Sequence, residues 1–254
     1  MDLGLSGRRF LVGGASRGLG EATARALLAE GARVAGASRN PDPDPAMAAA
    51  GIVPVAVDLS GPDGAASAVE AAVRAFGGLD GLVVNTGGPP GGTFATIDDA
   101  TWERAIAGTL QSTIRLIRAA LPHLRQGLDP AIVIVLSSSV REPIPALITS
   151  NVLRPGLAGL IKSLVTEIAP IRINGVAPGR FDTERVRSLD EARAADTGSS
   201  VETVQAQTRA RIPLGRYGDP AELGRVVTFL LSPAASYLDG VIVAVDGGMI
   251  RSLP

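Results

Sequence analysis

Short apolar runs alternate with helical stretches along the whole chain. Seven runs rich in Val and Ile lack a period-two alternation of apolar and polar residues, so both faces of their sheet should be covered. They read RFLVGG, RVAGAS, IVPVAV, GLVVN, AIVIVLSSS, RINGVAP and GVIVAVDGG. The helical stretches between them cover residues 18–30, 62–76, 98–125, about 147–169 and 220–231. This alternation predicts an α/β fold with a doubly wound parallel sheet, helices on both faces and right-handed crossovers.

The chain shows no boundary between domains. Its 254 residues, 46% of them hydrophobic, suffice for one sizeable core, and neither an internal repeat nor a linker divides them. We therefore expect a single domain over residues 1–254. The proline-rich stretch at 40–46 predicts a stiff loop where a second crossover helix should start. Residues 184–211 predict a polar insert with helical pieces.

Composition excludes several classes of function. The net charge of −1 provides no basic surface for nucleic acid or a membrane. No apolar run reaches the roughly 18 to 20 residues of a membrane span. The N-terminal sequence MDLGLSGRRFLVGG lacks the layout of a signal peptide, so we expect a cytoplasmic protein. The sequence has no cysteine, and its single histidine, His123, has no carboxylates at ligand spacing, so we expect neither disulfides nor a metal site.

A glycine-rich loop, GGASRGLG, follows the first predicted strand and leads into the first predicted helix. Glycines allow a tight turn and a close approach of the backbone to a pyrophosphate, and the free N–H groups of the helix N-terminus favour an anion. The strand–turn–helix context indicates a dinucleotide site. The alternative is a turn whose glycines serve only to pack the helix. The candidate contacts are Gly14, Ser16, Arg17, Gly18, Leu19 and Gly20.

Further motifs follow the later strands. They contain Asp58 and Leu59 in VDLS, Asn85 and Gly87 in NTGG, and Pro178, Gly179 and Thr183 in NGVAPGRFDT. Together with GGASRGLG, in which Gly13 replaces the usual Thr of TGxxxGxG, they resemble the cofactor motifs of the short-chain dehydrogenases/reductases. The C-terminal part is similar to β-ketoacyl-carrier-protein reductases, and the resemblance covers essentially the whole chain. It implies a single-domain Rossmann-type fold in which these residues bind a nicotinamide cofactor.

The end of the second strand indicates which nicotinamide is bound. Ser38 and Arg39 stand where NAD enzymes place Asp or Glu, which accepts a hydrogen bond from the ribose 2′-OH and would repel a 2′-phosphate. Arg39 could instead pair with that phosphate, with help from Arg17. The pattern favours NADP(H) over NAD. The alternative is that Arg39 is an ordinary exposed arginine that binds no cofactor.

The family's catalytic residues are largely replaced. The resemblance implies a Tyr that protonates the carbonyl oxygen, a Lys four residues later, a Ser on strand five and an Asn on helix four. Anchoring GLAGLIKSLVTEIA on the family's KAGVIGLTKSLAREL aligns Ser150 with the Tyr and Arg154 with the Lys. Ser137, thirteen residues before Ser150, matches the Ser, and Thr109 in WERAIAGTL stands for the Asn.

No shift of register restores the missing acid. The chain contains two tyrosines, Tyr217 and Tyr237, and neither is followed four residues later by its only lysine, Lys162. Arg154 can hold ribose hydroxyls but stays protonated, and Ser150 is a poor acid that can still hydrogen-bond a carbonyl oxygen together with Ser137. Pro155 predicts that the helix begins near residues 151–155 or kinks there.

Three functions remain open. The first is an NADP(H)-dependent, 3-oxoacyl-reductase-like oxidoreductase that acts on a small carbonyl compound or acyl thioester. The second is a nucleotide-binding protein without turnover, acting as a sensor or as the partner subunit of an intact reductase. The third is non-redox chemistry that uses Arg154 and the serines. The resemblance also implies a dimer or tetramer, built through helices four and five and the last strand.

The insert at 184–211 is expected to cover the substrate site like a lid. Its arginines either meet an anionic substrate or form a solvated helix face with glutamate partners. They are Arg185, Arg187, Arg193, Arg209 and Arg211.

Overall fold

A computed structural model of the protein describes residues 2–39 and 49–252, and the loop predicted at 40–46 lies outside these ranges. The described strands form one seven-stranded sheet in the order β3-β2-β1-β4-β5-β6-β7, and each neighbouring pair is parallel. The strands are β1 Arg9–Gly13, β2 Arg33–Ser38, β3 Val53–Ala56, β4 Gly81–Val84, β5 Ala131–Val135, β6 Arg172–Pro178 and β7 Ile242–Val245. This order, which reverses direction between β1 and β4, is that of a Rossmann-type fold and confirms the predicted doubly wound sheet.

Helices cover both faces of the sheet, as predicted. Apolar side chains of α1 and α8 pack with strand residues such as Phe10 and Val12 on one face. Those of α2, α4 and α5 pack with Leu11 and Ile132 on the other face. The helices are α1 Gly18–Ala29, α2 Gly64–Phe76, α3 Asp99–Ala105, α4 Ser112–Leu124, α5 Ile148–Glu167, α6 Glu184–Thr197, α7 Val201–Arg209 and α8 Pro220–Leu231. No helix in the described ranges is long and apolar enough to span a bilayer.

Two helices differ from the sequence-based expectation. The helix predicted over 98–125 contains a π-helical segment, Ile106–Gln111, between α3 and α4. Helix α5 begins at Ile148, which confirms the helical stretch predicted from about residue 147, whereas the later start near residues 151–155 that Pro155 predicted is wrong. Pro155 lies inside α5 in an exposed position and lacks the N–H that would bond the carbonyl oxygen of residue 151.

A buried carboxylate ties together the strands on either side of the reversal. Asp80, which directly precedes β4, is 5% exposed and accepts hydrogen bonds from the backbone N–H and the guanidinium of Arg9 and from the N–H of Leu128. Desolvation raises the pKa of Asp80, but these hydrogen bonds and the charge of Arg9 outweigh it and lower the pKa below its ordinary value. The interaction therefore fixes the amino ends of β1 and β4, whose carboxyl ends form the site described below.

We predict that Asp80→Asn lowers the free energy of unfolding by about 3–5 kcal/mol at neutral pH, because it leaves the guanidinium of Arg9 without its charge partner. The matched control is Asp129→Asn, since Asp129 pairs with the neighbouring Arg8 at 2.9 Å but its side chain is 60% exposed. The control should lose less than about 1 kcal/mol.

Because the folded-state pKa of Asp80 is lowered, the contribution of Asp80 to the free energy of unfolding is complete above the unfolded-state pKa. This contribution disappears as the pH falls through the folded-state pKa. Urea titrations at several pH values measure both effects, and equal losses in the two variants would contradict the prediction.

Candidate active site

The carboxyl ends of β1 and β4 meet where the strand order reverses, and the glycine loop lies there. Asn85, directly after β4, donates from its side-chain amide to the backbone oxygens of Gly13 and Gly14, at 3.2 and 3.5 Å. Gly14 has a φ of +60°, and a β-carbon there would lie 2.6 Å from the backbone oxygen of Asn85. A β-carbon at Gly20 would overlap the carbonyl oxygen of Gly14. The glycines are therefore required by close backbone packing as well as by a turn.

The N-terminus of α1 is open to a ligand. Arg17 occupies the N-cap position in an extended conformation and provides no side-chain cap, so the first N–H groups of α1 are left for an anion. The guanidinium of Arg17 lies 2.6 Å from the carboxylate of Glu184, in the first turn of α6, and both side chains are exposed. Arg17 was expected to help bind a 2′-phosphate, whereas here it links the glycine loop to the insert. Ser16 and Leu19 are partly buried in the same loop.

Residues expected near the adenosine end lie at the ends of β2 and β3. Ser38 is the last residue of β2, and Arg39 follows it in an exposed position. Asp58 accepts hydrogen bonds from the hydroxyl and the N–H of Ser60, which lower the pKa of Asp58, with a smaller lowering from the charge of Arg39. Leu59 is close to Gly13, since a β-carbon on that glycine would lie 3.3 Å from the Leu59 side chain. The structure thus brings Arg39 and Asp58 to one edge of the cleft.

The loops after β4 and β6 form the rest of the cleft. The hydroxyl of Thr86 is buried and has no hydrogen-bond partner among the described residues, and a β-carbon at Gly87 would meet no atom within 4 Å. Pro178 ends β6 and is buried, and Gly179 is needed because a β-carbon there would lie 2.7 Å from the side chain of Asp246.

Thr183 closes the cleft near the glycine loop. Its hydroxyl accepts a hydrogen bond from the N–H of Val186 and caps α6. Its methyl group lies close to Gly18, whose φ is +60°.

Three serines lie where β5 and α5 approach each other. The hydroxyl of Ser150 is 3.1 Å from that of Ser139, and both residues are buried. Ser137 is partly exposed, and its hydroxyl accepts the N–H of Ser139 at 3.1 Å. Sequence reasoning paired Ser150 with Ser137 and missed Ser139. The structure instead connects Ser137 to Ser150 through Ser139.

Arg154 lies one helical turn beyond Ser150 and is 6% exposed. Its guanidinium donates to the carbonyl oxygen of Val135, the last residue of β5, while its Nε has no partner in the described part of the chain. Burial lowers the pKa of Arg154 to about 10, so the side chain is a cation at neutral pH. Thr109 is buried within the π-helical segment, an irregularity common at functional sites.

Neither tyrosine substitutes for the missing acid. The hydroxyl of Tyr217 donates to the buried carboxylate of Asp190 at 2.8 Å, and desolvation followed by this hydrogen bond raises the pKa of Tyr217. Tyr237 is fully exposed. No group of three or more His, Cys, Asp or Glu side chains that could hold a metal ion occurs within residues 2–39 and 49–252.

Comparison with known proteins identifies the family. The family described as enoyl-(acyl carrier protein) reductase matches residues 14–250. The chain belongs to the short-chain dehydrogenase/reductase family. A curated relative, the 3-oxoacyl-[acyl-carrier-protein] reductase of Vibrio cholerae, is 30% identical over 97% of this chain and 99% of its own length.

Two solved structures of oxidoreductases are also similar. L-sorbose reductase from Gluconobacter frateurii, solved with NADPH and L-sorbose, has a TM-score of 0.93, 30% identity and full coverage of both chains. A short-chain oxidoreductase from Pseudomonas aeruginosa PAO1, solved with NADPH and containing an atypical catalytic center, has a TM-score of 0.86 and 31% identity. That comparison covers 98% of this chain and 100% of the other.

A separate cavity of about 840 Å³ lies between α1, α8 and the start of α6. It shares Gly18 and Thr183 with the cleft at the strand-order reversal of this short-chain dehydrogenase/reductase, but none of the three serines lines it. We therefore locate the candidate active site at the carboxyl ends of the strands, where chemically reactive groups converge, rather than in this cavity.

We predict that Gly20→Ala lowers both the free energy of unfolding, by about 1–3 kcal/mol, and the affinity for nicotinamide nucleotide, by about tenfold or more. The new β-carbon must displace the backbone at Gly14, where the loop begins. Gly156→Ala is the control, since Gly156 is exposed in α5 and its β-carbon enters open space, and it should lower neither quantity. Thermal unfolding and fluorescence titration with NADPH measure the two effects. A Gly20→Ala variant that binds like the original protein would show that the loop is not the nucleotide site.

Proposed function

We propose that this short-chain oxidoreductase uses NADP(H) to reduce a carbonyl group, with an altered set of catalytic residues. The observation that carries the proposal is the intact nucleotide cradle of Gly14, Gly20 and Asn85 at the strand-order reversal. The NADPH-bound relatives support the same cofactor, and the relative with an atypical catalytic center is a precedent for departure from the family's tetrad.

The site fits a nicotinamide nucleotide in physical terms. The uncapped N-terminus of α1 suits the pyrophosphate, and Arg39 beside Asp58 suits a 2′-phosphate and the adenine. The buried, unpartnered Nε of Arg154 and hydroxyl of Thr86 are polar atoms that a ligand can satisfy. When bound, the nicotinamide supplies the hydride that reduces the carbonyl carbon to an alcohol carbon and is itself oxidised.

The chain's own residues orient the carbonyl and stabilise the charge that develops on its oxygen. We assign the hydroxyls of Ser137 and Ser150 to the substrate oxygen, with Ser139 as a positioning residue between them. Arg154 contributes a fixed positive charge and donors for ribose hydroxyls, and Thr109 on the π-helical segment completes the polar surroundings. Because arginine does not release a proton at working pH, the proton reaches the alcohol through the hydroxyls or from water.

The proposal extends to assembly and location. We propose a homo-oligomer, which the edge position of β7 and the exposed Val152 on α5 support. We also propose that helices α6 and α7 act as a lid over the substrate and that the protein is cytoplasmic, with a single domain.

A second candidate function is nucleotide binding without turnover, as a sensor or as the partner of an intact reductase. It is favoured by the absence of any phenol at the site: Tyr217 is engaged by Asp190 and Tyr237 is exposed. Non-redox chemistry is a third possibility, which would form a product while the nicotinamide stays unchanged.

One experiment separates these functions. Purified protein is titrated with NADPH and NADH by nicotinamide fluorescence and then assayed with an acetoacetyl thioester and a panel of ketones and keto acids. We expect NADPH to bind more tightly than NADH, and slow oxidation of NADPH that Ser137→Ala or Ser150→Ala reduces by about 10²–10³-fold. Ser163→Ala is the control, because Ser163 is exposed on the same helix and bonds only Gly159. Tight binding with no turnover would favour the sensor, and no binding would refute the cofactor.

We also predict that Arg154→Met raises the free energy of unfolding without nucleotide by about 1–3 kcal/mol, since a buried cation without an anionic partner is costly. The same change should weaken NADPH binding. Arg172→Met is the control: Arg172 donates to the carbonyl oxygens of Leu230, Ser232 and Leu238, so its loss should destabilise the protein. Urea unfolding and NADPH titration measure both effects, and a destabilised Arg154→Met variant would show that Arg154 has a structural role.

A further inference from the structure

The first turn of α6 carries an arginine that reaches across the cleft. The guanidinium of Arg185 donates to the carbonyl oxygen of Pro89 at 2.7 Å. A β-carbon at Gly88 would lie 3.1 Å from the Nε of Arg185. Arg185 is therefore packed over the loop that follows β4, next to the NTGG motif, although it belongs to the insert.

That loop is bonded directly to the start of α5, which carries Ser150, and to the residues that precede it. The hydroxyl of Thr149 donates to the carbonyl oxygen of Pro90 at 2.7 Å, and the N–H of Gly92 donates to the carbonyl oxygen of Ala146 at 2.7 Å. Thr149 and Pro90 are the chain neighbours of Ser150 and Pro89. The loop that Arg185 contacts is therefore hydrogen-bonded to the segment that carries Ser150, and this link is the basis for assigning Arg185 to the same substrate as Ser150.

Arg185 has no acidic partner among the residues that the structure describes, unlike the arginine two positions later. Both arginines are exposed to solvent, but Arg187 pairs with Asp182 at 2.9 Å. Desolvation lowers the pKa of Arg185, and no carboxylate offsets it. Arg154, on the helix that carries Ser150, likewise forms no ion pair in residues 2–39 and 49–252. At the serine end of the cleft, Arg154 and Arg185 are therefore two positive charges that no carboxylate of the described residues compensates.

We propose that the substrate is a keto acid and that Arg185 binds its carboxylate. This inference rests on the proposed carbonyl reduction and adds the substrate class to it. A planar guanidinium matches a carboxylate with two parallel hydrogen bonds, and one guanidinium charge balances one carboxylate charge. A phosphate carries about −1.5 to −2 at neutral pH and would need more than one such partner. Arg154 is buried and is assigned above to the ribose hydroxyls, so Arg185 is the residue that we assign to the anionic substrate.

The test compares 2-, 3- and 4-oxo acids with their methyl esters in the original protein and in Arg185→Gln, Arg185→Lys and Arg187→Gln. Glutamine can still donate to Pro89, so it removes the charge while it keeps that contact. We expect the original protein to prefer one oxo acid over its ester about tenfold or more in kcat/KM. Arg185→Gln should lose this preference. Its kcat/KM for the oxo acid should fall about 10- to 100-fold because KM rises, while kcat and the reaction of the ester change little. Arg185→Lys should retain part of the preference, and Arg187→Gln should retain all of it.

Several results would overturn the inference while the proposed function stands. The first is an equal kcat/KM of the original protein for oxo acids and their esters. The second is an equal fall in kcat/KM for both in Arg185→Gln. The third is a preference of the original protein for a phosphopantetheine thioester over every free oxo acid. A rise in the NADPH dissociation constant of Arg185→Gln, with the acid-to-ester ratio unchanged, would assign Arg185 to the cofactor instead.

Absence of all turnover would instead refute the proposed function, and binding then tests the inference by itself. Calorimetric titration of the NADPH complex with the same oxo acids should detect binding to the original protein and to Arg187→Gln. Arg185→Gln should bind at least tenfold more weakly. Equal binding by all three proteins would overturn the role of Arg185.

Discussion

The close approach of Gly20 to the carbonyl oxygen of Gly14 is the constraint on which the rest of the site depends. It sets the N-terminus of α1 against the end of β1, and the amide of Asn85 joins both to β4. At the other end of the same strands, Asp80 and Arg9 hold β1 and β4 in register. These contacts fix the backbone segments that form the cleft at the strand-order reversal. Other side chains around the cleft can therefore differ without changing its shape.

The sequence predicted the parts of this architecture that repeat or that follow fixed spacing. Strands such as AIVIV and GLVVN are recognisable because both of their faces are buried, and the glycine loop is recognisable because only glycine fits its close contacts. The contacts of Arg17, Ser139 and Arg185 could not be predicted from the sequence, because each depends on how segments that are distant in the chain meet in space. In α5, the apolar pattern predicted the observed start, whereas Pro155 favoured a later one, which is not observed because burial of Leu153, Leu157 and Ile161 outweighs the local propensity of proline.

The cleft combines the glycine loop that we assign to a nucleotide with unusual electrostatics. In the motif alignment, Ser150 and Arg154 place a neutral hydroxyl and a permanent charge where the family has a Tyr and a Lys. A buried guanidinium with an unsatisfied Nε lowers the stability of the folded protein, and such a cost is typical of residues kept for ligand binding rather than for folding. Arg185 adds a second uncompensated charge from the insert, so the field inside the cleft favours anions although the net charge of the chain is −1.

The residues that we assign to catalysis lie on three segments. Ser137 follows β5 and bonds an N–H of its own turn, Ser150 and Arg154 lie on α5, and Thr109 lies in the π-helical segment. Ser150 bonds the hydroxyl of Ser139, and Arg154 bonds the end of β5. None of these hydrogen bonds is shared with the contacts of Gly14, Gly20 and Asn85 that set the glycine loop. A substitution that changes the chemistry near the serines therefore leaves the anchoring of the loop in place, and reactivity and proposed nucleotide binding can vary independently in this scaffold.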